Sequence, residues 1–311
     1  MYDLQLTYGM KSYKVWQDTR TDDLRETRTS PGDAAKNEWK VSSFRQLVER
    51  VSFLTSMNKR FTLYFRGQAK NFDPIPSIFR PTWRAFDTNE DLPINESNRH
   101  GYWAELLRLG EGVFQICKST SLGLPRYRGL RDVREAQWAI IQHYGLWPTP
   151  LIDVTSSLRV AASFALGCQI ESSNVSRSGY LFVVGMPDAT GSITYSIDQH
   201  IILARLQSVC PPVAKRPHFQ DGYLVGHFPM YDVGNPNATR KSSLSKRLIA
   251  LFRLTDDGSF WDDDYPMIQA TALIPNEDEL HDRFLEAFGL SSTSPVAALA
   301  HHIADSNSRR L

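Results

Sequence analysis

Apolar positions recur along this chain at two spacings, and the change from one to the other outlines its elements. In "SSFRQLVERVSFL" the residues Phe44, Leu47, Val48, Val51 and Leu54 fall three and four apart behind a serine, which predicts a capped helix with one buried stripe. The period then drops to two: Phe61, Leu63 and Phe65 alternate with Thr62 and Tyr64, predicting a half-buried strand that runs into Arg66 and Gly67. Prolines in "FDPIPSIFRPTW" remove backbone donors and rule out a regular element there. Helical spacing returns over 96–118, with Trp103, Leu106, Leu107, Val113, Phe114 and Ile116 as the expected buried side. It returns again from Val133 to Tyr144, where Gly145 suits the left-handed residue beyond a helix end.

From residue 179 onward the pattern turns to strands, expected at 179–185, 223–228, 247–254 and 265–274. The loops between them are rich in Pro, Asn, Ser and Asp, which favours antiparallel pairing over long crossovers. "NEDELHDRFLEAF" predicts a capped amphipathic helix near the end of the chain. Residues 1–41 read as a short strand and a charged arm, and 42–305 as a single α+β domain of mostly antiparallel strands flanked by helices.

The 311 residues are 41% hydrophobic, enough for a packed core. Basic and acidic side chains number 35 and 34, so any grip on nucleic acid must come from local patches and not from bulk charge. Cys117, Cys168 and Cys210 are odd in number and far apart, which points away from a disulfide framework or a cysteine zinc site and towards a reducing, cytoplasmic setting. No stretch approaches the roughly 20 apolar residues of a membrane span, and no His/Glu spacing of the H-E-x-x-H kind favours a metal.

Three stretches carry more polar residues than a core needs: Arg66-Gly67-Gln68, Gln142-His143-Tyr144-Gly145 with the following 148–157, and "RPHFQDGYLV" at 216–225. A strand-end arginine either pairs with a carboxylate such as Asp153 or grips a ligand phosphate through parallel hydrogen bonds, and both can hold at once. Thr155, Ser156 or Ser157 caps the helix opening near Leu158, and the same hydroxyls beside free N–H groups suit an anion. His143 at a helix end either caps it or offers a general acid/base. Tyr64 and Tyr144 are core aromatics or stacking surfaces, and Arg80 fixes its loop or faces a ligand. Arg126, Arg128, Arg131 and Arg134 form a solvated face or a track for a phosphate backbone, which Lys215-Arg216, Arg240-Lys241 and Lys246-Arg247 would extend.

"YFRGQ", "PSIFR", "QHYGLWPTPLIDVTSSLRVAASFA" and "RPHFQDGYLV", in that order, resemble the FRG-domain family, named for its Phe-Arg-Gly element, over about residues 42–300. Here Trp147 is inserted and Pro150 stands where the family usually has an arginine, leaving Arg159 and Arg80 as candidates for its role. The strand-end arginine and the later Thr/Ser-Ser element are also similar to the first two motifs of mono-ADP-ribosyltransferases of the Arg-Ser-Glu type. That resemblance implies an ADP-ribosyltransferase-like fold, NAD as cofactor, and cofactor contacts from Tyr64, Arg66, Gly67, Gln68, Arg80, Tyr144, Thr155, Ser156 and Ser157. Residues 172–276 contain no glutamate for the third motif, so Gln220 and Asp221 would stand there, with His143 or Asp153 assisting the acceptor. The implied activity is that of an intracellular toxin modifying nucleic acid, RNA before protein, with a neutralising antitoxin and a place in phage defence by analogy. The missing glutamate supports the alternative, a non-catalytic module that binds a nucleotide or a phosphorylated ligand.

Overall fold

The computed structural model describes residues 38–84, 91–118, 127–167, 177–197, 199–228, 244–275 and 278–288. The charged arm expected before residue 38 lies outside them. Strand β1 (Trp39–Val41) leads into helix α1 (Phe44–Met57), where the Ser43 hydroxyl accepts the Gln46 N–H and Phe44, Leu47, Val51 and Leu54 form the buried stripe. Then come β2 (Thr62–Gln68), a 3-10 turn at Ser77–Phe79 and the small hairpin of β3 (Thr82–Arg84) and β4 (Asp91–Pro93). Helices α2 (Arg99–Lys118), α3 (Tyr127–Asp132) and α4 (Arg134–Tyr144) follow, the last ended by Gly145 at φ 67°.

Strand β5 (Leu151–Thr155) passes directly into α5 (Leu158–Ala165). Next are β6 (Arg177–Met186), β7 (Ile193–Ser196), β8 (Ile201–Arg205), the single turns α6 (Leu206–Val209) and α7 (Lys215–Phe219), and β9 (Gly222–His227). The last elements are β10 (Leu248–Asp256), α8 (Ala270–Leu273) and α9 (Glu279–Phe288).

Eight strands form one sheet in the order β1-β10-β6-β2-β5-β9-β8-β7. Only β1 and β10 run parallel among the pairings described; the others are antiparallel, as the turn-rich loops imply. Helices cover one face in two groups. Around α1 and α5, Leu47, Leu54, Ala161 and Ala165 pack on Phe65, Leu181 and Phe252. Around α2, α4 and α9, Leu106, Trp138, Ile141 and Phe284 pack with Leu151, Ile202 and Leu224. The groups meet above the junction of β2 with β5, where the ladder holds a single pair, Phe65 opposite Thr155. Tyr64, Ile152, Val154, Phe182 and Val225 point to the opposite face, as the two-residue pleat requires.

Three expectations fail. The proline-rich stretch 72–83 is not free of regular structure, since it holds the 3-10 turn at Ser77–Phe79 and the start of β3 at Thr82. Residues 265–274 do not form a strand: Ile268, Leu273 and Ile274 cover Val160 and Phe164 of α5, and the Ser163 hydroxyl takes the Ile268 N–H, so the segment's apolar residues serve a helix and not a sheet edge. Leu107 is 37% exposed, because the buried stripe of α2 runs through Tyr102, Leu106, Leu109, Val113 and Cys117, one position around from it.

Candidate functional site

Above the β2–β5 junction lies a cavity of about 470 Å³, walled by the two helical groups. The wall on the β2 side is set by contact between backbones. A Cβ on Gly67 would stand 1.8 Å from the Ala161 carbonyl oxygen, and one on Gly179 1.9 Å from that of Ala165. Gly67 therefore serves first to let α5 rest on the sheet, and only its backbone edge reaches the cavity.

Arg66 follows the Phe65–Thr155 bridge, where the β2–β5 ladder stops, and its guanidinium takes over the connection. Nη1 donates to the Asp153 carbonyl at 2.7 Å and Nε to Gln68 Oε1 at 3.1 Å. Gln68 turns away from the cavity, donating to the carbonyls of Lys70 and Phe72. Nη2 of Arg66 has no hydrogen-bond partner among the described residues. Burial presses the guanidinium pKa down and the Asp153 carboxylate opposes it, while Arg80 adds to the lowering; the group remains charged.

Asp153 is the carboxylate of the cavity lining. Its Oδ2 accepts from Gln142 Nε2 at 2.9 Å, and Gln142 Oε1 in turn accepts the hydroxyls of Ser77 and Thr149. Its Oδ1 faces His143 Nδ1 at 3.7 Å, too long for a full hydrogen bond but close enough to favour the proton on that nitrogen. Burial alone would raise the Asp153 carboxyl; His143, Arg66 and Gln142 together outweigh it and hold the group below the usual carboxylate range. Burial likewise lowers the His143 pKa, with Arg216 adding to the effect and Asp153 opposing it. The imidazole is therefore neutral at neutral pH, and its Nε2, buried and without a partner among the described residues, is left as an acceptor.

Thr155 Oγ1 donates to the Gln220 carbonyl at 2.7 Å and accepts the Ser157 N–H at 3.0 Å, locking the end of β5. The cap of α5 falls to Ser157, whose Oγ accepts the Val160 N–H. Gln220 lines the cavity, and its Nε2 donates to the Leu273 carbonyl at 2.8 Å, leaving its Oε1 without a partner among the described residues. Tyr144 lines the cavity through its ring, with its hydroxyl donating to the buried Asp278.

The structure thus gathers Arg66, Gly67, His143, Tyr144, Asp153, Thr155 and Gln220 around one space. It sets others elsewhere. Tyr64 lies on the opposite sheet face, edge-on to Tyr223 at 4.9 Å, so it stacks in the core and not on a cavity ligand. Ser156 donates to the Asp221 carboxylate, which also accepts Gln207 Nε2 at 3.1 Å; Asp221, at φ 44°, is committed to this turn and is not part of the lining. Ser157 and Gln68 are likewise structural. Arg80 donates to the Ile75 carbonyl and stands outside the lining, and Arg159 is exposed. In the arginine track, Arg131 pairs with its neighbour Asp132, and neither it nor Arg134 lines the cavity. Arg126 and the side chain of Arg128 lie outside the described residues, as do Arg240, Lys241 and the side chain of Lys246.

One functional candidate escaped the sequence reading. Arg216 projects from α7 into the cavity, its guanidinium 5.5 Å from the centre of the Tyr144 ring. Its signal was the first position of "RPHFQDGYLV", where it passed for part of a charge track. Among the described residues no helix is long and apolar enough to cross a membrane.

The FRG domain family's sequence profile matches residues 62–174. No curated protein and no solved structure matches the chain. The matched span supplies Arg66, His143, Asp153 and Thr155, whereas Arg216 and Gln220 come from the part of the chain beyond it.

Proposed function

We propose, from an FRG domain at residues 62–174 that contributes Arg66, His143 and Asp153 to the cavity, that the protein is an NAD-dependent ADP-ribosyltransferase acting on nucleic acid, RNA in preference to protein. One observation carries this reading: Arg66 at the end of β2 and Thr155 at the end of β5 meet beside a single strand bridge and share a cavity with Gln220. The lining fits a dinucleotide, since Arg66 Nη2 has no partner among the described residues and the buried Nε2 of His143 has none either. NAD would supply a ribose bonded to nicotinamide as a leaving group.

Arg66 binds a phosphate oxygen through the guanidinium edge turned away from Asp153. Gln220 Oε1 accepts a ribose hydroxyl, and Asp153 provides the negative field on that side of the cavity. His143, neutral and with Nε2 open, takes the proton of an attacking hydroxyl or amine. An ADP-ribosyltransferase-like fold, a neutralising protein partner and a role as a toxin belong to the same proposal and rest on the motif resemblance.

A second reading has its own support. Asp153 is held by Gln142 and faces His143, so the carboxylate is already engaged within the protein, which favours a module that binds the nucleotide without turning it over. The two readings separate when purified protein and its Arg66→Ala variant are incubated with labelled NAD and a cell lysate. Portions are then treated with ribonuclease or protease. Label that requires Arg66 and is lost to ribonuclease supports a transferase acting on RNA. Protease-sensitive label keeps the chemistry and changes the acceptor. Saturable, Arg66-dependent NAD binding with neither label nor nicotinamide release overturns the enzyme in favour of the binding module.

A further inference from the structure

Resting on the reading of the cavity as a nucleotide site, we propose that Arg216 and His143 form a second subsite, across the Asp153–His143 pair from Arg66, that takes the phosphoryl group and a neighbouring hydroxyl of a ribose phosphate. Arg216 is held in place by groups that leave its own charge unanswered. Its backbone N–H donates to Asp278 at 3.1 Å, and its guanidinium lies over the Tyr144 ring, whose hydroxyl is tied to the same carboxylate. Asp278 also accepts the His281 N–H, so its oxygens are taken by Tyr144 and two backbone donors and not by the Arg216 side chain. Arg216 Nε is buried and has no hydrogen-bond partner among the described residues. A guanidinium that lines a cavity and has no side-chain hydrogen-bond partner among the described residues is satisfied by an oxyanion, for which its planar fork is shaped.

The second observation is independent and comes from His143. Its side chain is 2% exposed, yet Nε2 has no partner among the described residues, and the residue lines the same cavity. Both groups lean on one ring: His143 lies edge-on to Tyr144 at 5.4 Å and Arg216 over it at 5.5 Å. Gly222 keeps the neighbouring strand clear, since a Cβ there would meet the Leu206 side chain at 2.7 Å and stand 3.9 Å from His143 Cε1. A cationic fork beside a lone acceptor matches an oxyanion next to a hydroxyl donor, the edge that a sugar phosphate presents. With Arg66 lining the same cavity, the two guanidiniums would flank the joined phosphoryl groups of one ADP-ribose.

The test is calorimetric titration of the full chain with ADP-ribose, ribose 5-phosphate and inorganic pyrophosphate, in wild type and in Arg216→Met, Arg216→Lys and Arg66→Met. Thermal melts confirm that each variant is folded. Arg216→Met is expected to weaken ADP-ribose and ribose 5-phosphate about tenfold or more, with Arg216→Lys recovering part of the loss. Arg66→Met should weaken ADP-ribose more than it weakens ribose 5-phosphate. Arg216-dependent binding of ribose 5-phosphate in a protein that never turns over NAD would sustain the subsite and sink the transferase. Turnover of NAD with ADP-ribose binding indifferent to Arg216→Met would sink the subsite and leave the transferase standing. Pyrophosphate bound as tightly as ADP-ribose, with the same dependence on Arg216, would overturn the hydroxyl half of the proposal.

Discussion

On the β2–β6 side of the cavity α5 rests on two glycines, its backbone against the sheet, whereas on the β5–β9 side α4 is joined to the strands by Gln142, His143 and Asp153. Apart from Arg66, the first wall contributes shape with almost no polar chemistry. The second contributes most of the remaining chemistry and depends on each group finding a partner. Close packing tolerates no added atom, because a carbon inside van der Waals distance of backbone cannot be accommodated by turning a side chain. A polar wall tolerates changes of size better than changes of hydrogen-bonding capacity. A site needs both, since a rigid surface opposite the reactive groups keeps their geometry from relaxing.

The largest expected effect breaks the packed wall. Gly67→Ala places a carbon 1.8 Å from the Ala161 carbonyl oxygen and should cost about 3 kcal/mol or more in urea denaturation, or prevent folding altogether. Gly179→Ala, which meets Ala165 in the same way, should behave alike; a wild-type midpoint for either would show that α5 stands off the sheet. Next comes the hub of the polar wall. Gln142→Leu strips partners from Ser77, Thr149 and Asp153 at once and should cost about 2–3 kcal/mol, whereas a conservative change of the exposed Arg159 should stay within about 0.5 kcal/mol.

Acid should find the polar wall before the packed one. His143 resists protonation when folded but accepts a proton near pH 6.5 when unfolded, so below that pH the unfolded chain binds more protons and stability falls as pH falls. The slope from this one group is at most about 1.4 kcal/mol per pH unit. Asp153 has the depressed pKa of a stabilised carboxylate, so its contribution is present above its ordinary pKa and is lost only at lower pH. Chemical denaturation from pH 7.5 to 5 in wild type and His143→Gln checks this; a slope unchanged by the substitution would remove His143 as its source. The smallest effect is expected at Tyr64→Phe, which should alter stability by less than about 0.5 kcal/mol and leave nucleotide binding unchanged, because the ring lies on the other face of the sheet. A marked loss of ligand affinity in that variant would place the site on the wrong face.

Several elements could be read directly from residue order because their causes are local. The stripe of α1, the alternation of β2 and the left-handed Gly145 each follow from neighbours within a turn or two. So does the cap of α5, although choosing Ser157 over Thr155 and Ser156 required knowing that both of those hydroxyls point to the turn before β9. Residues 265–274 show the limit. Their apolar content suits a strand, but what they cover is the flank of α5, more than 100 positions earlier in the chain.

The sequence by itself determined the course of α1, β2, α2, α4, β6, β9, β10 and α9, the mostly antiparallel character of the sheet, and the identity of Arg66, His143 and Asp153 as residues that need partners. Such facts depend on spacing, backbone preference and the cost of burying charge, all of which act over a few residues. Only the tertiary structure decided that Tyr64 and Asp221 stand apart from the cavity and that Arg216 stands in it. Those outcomes depend on where the β2–β5 ladder stops, which lets Arg66 reach the Asp153 backbone although it shares Tyr64's face of β2, on the side-by-side placement of β2, β5 and β9, and on an α7 that brings a cation over Tyr144. Which side chains share a space is a property of strand order and helix placement, and strand order is not written in any local stretch of the chain.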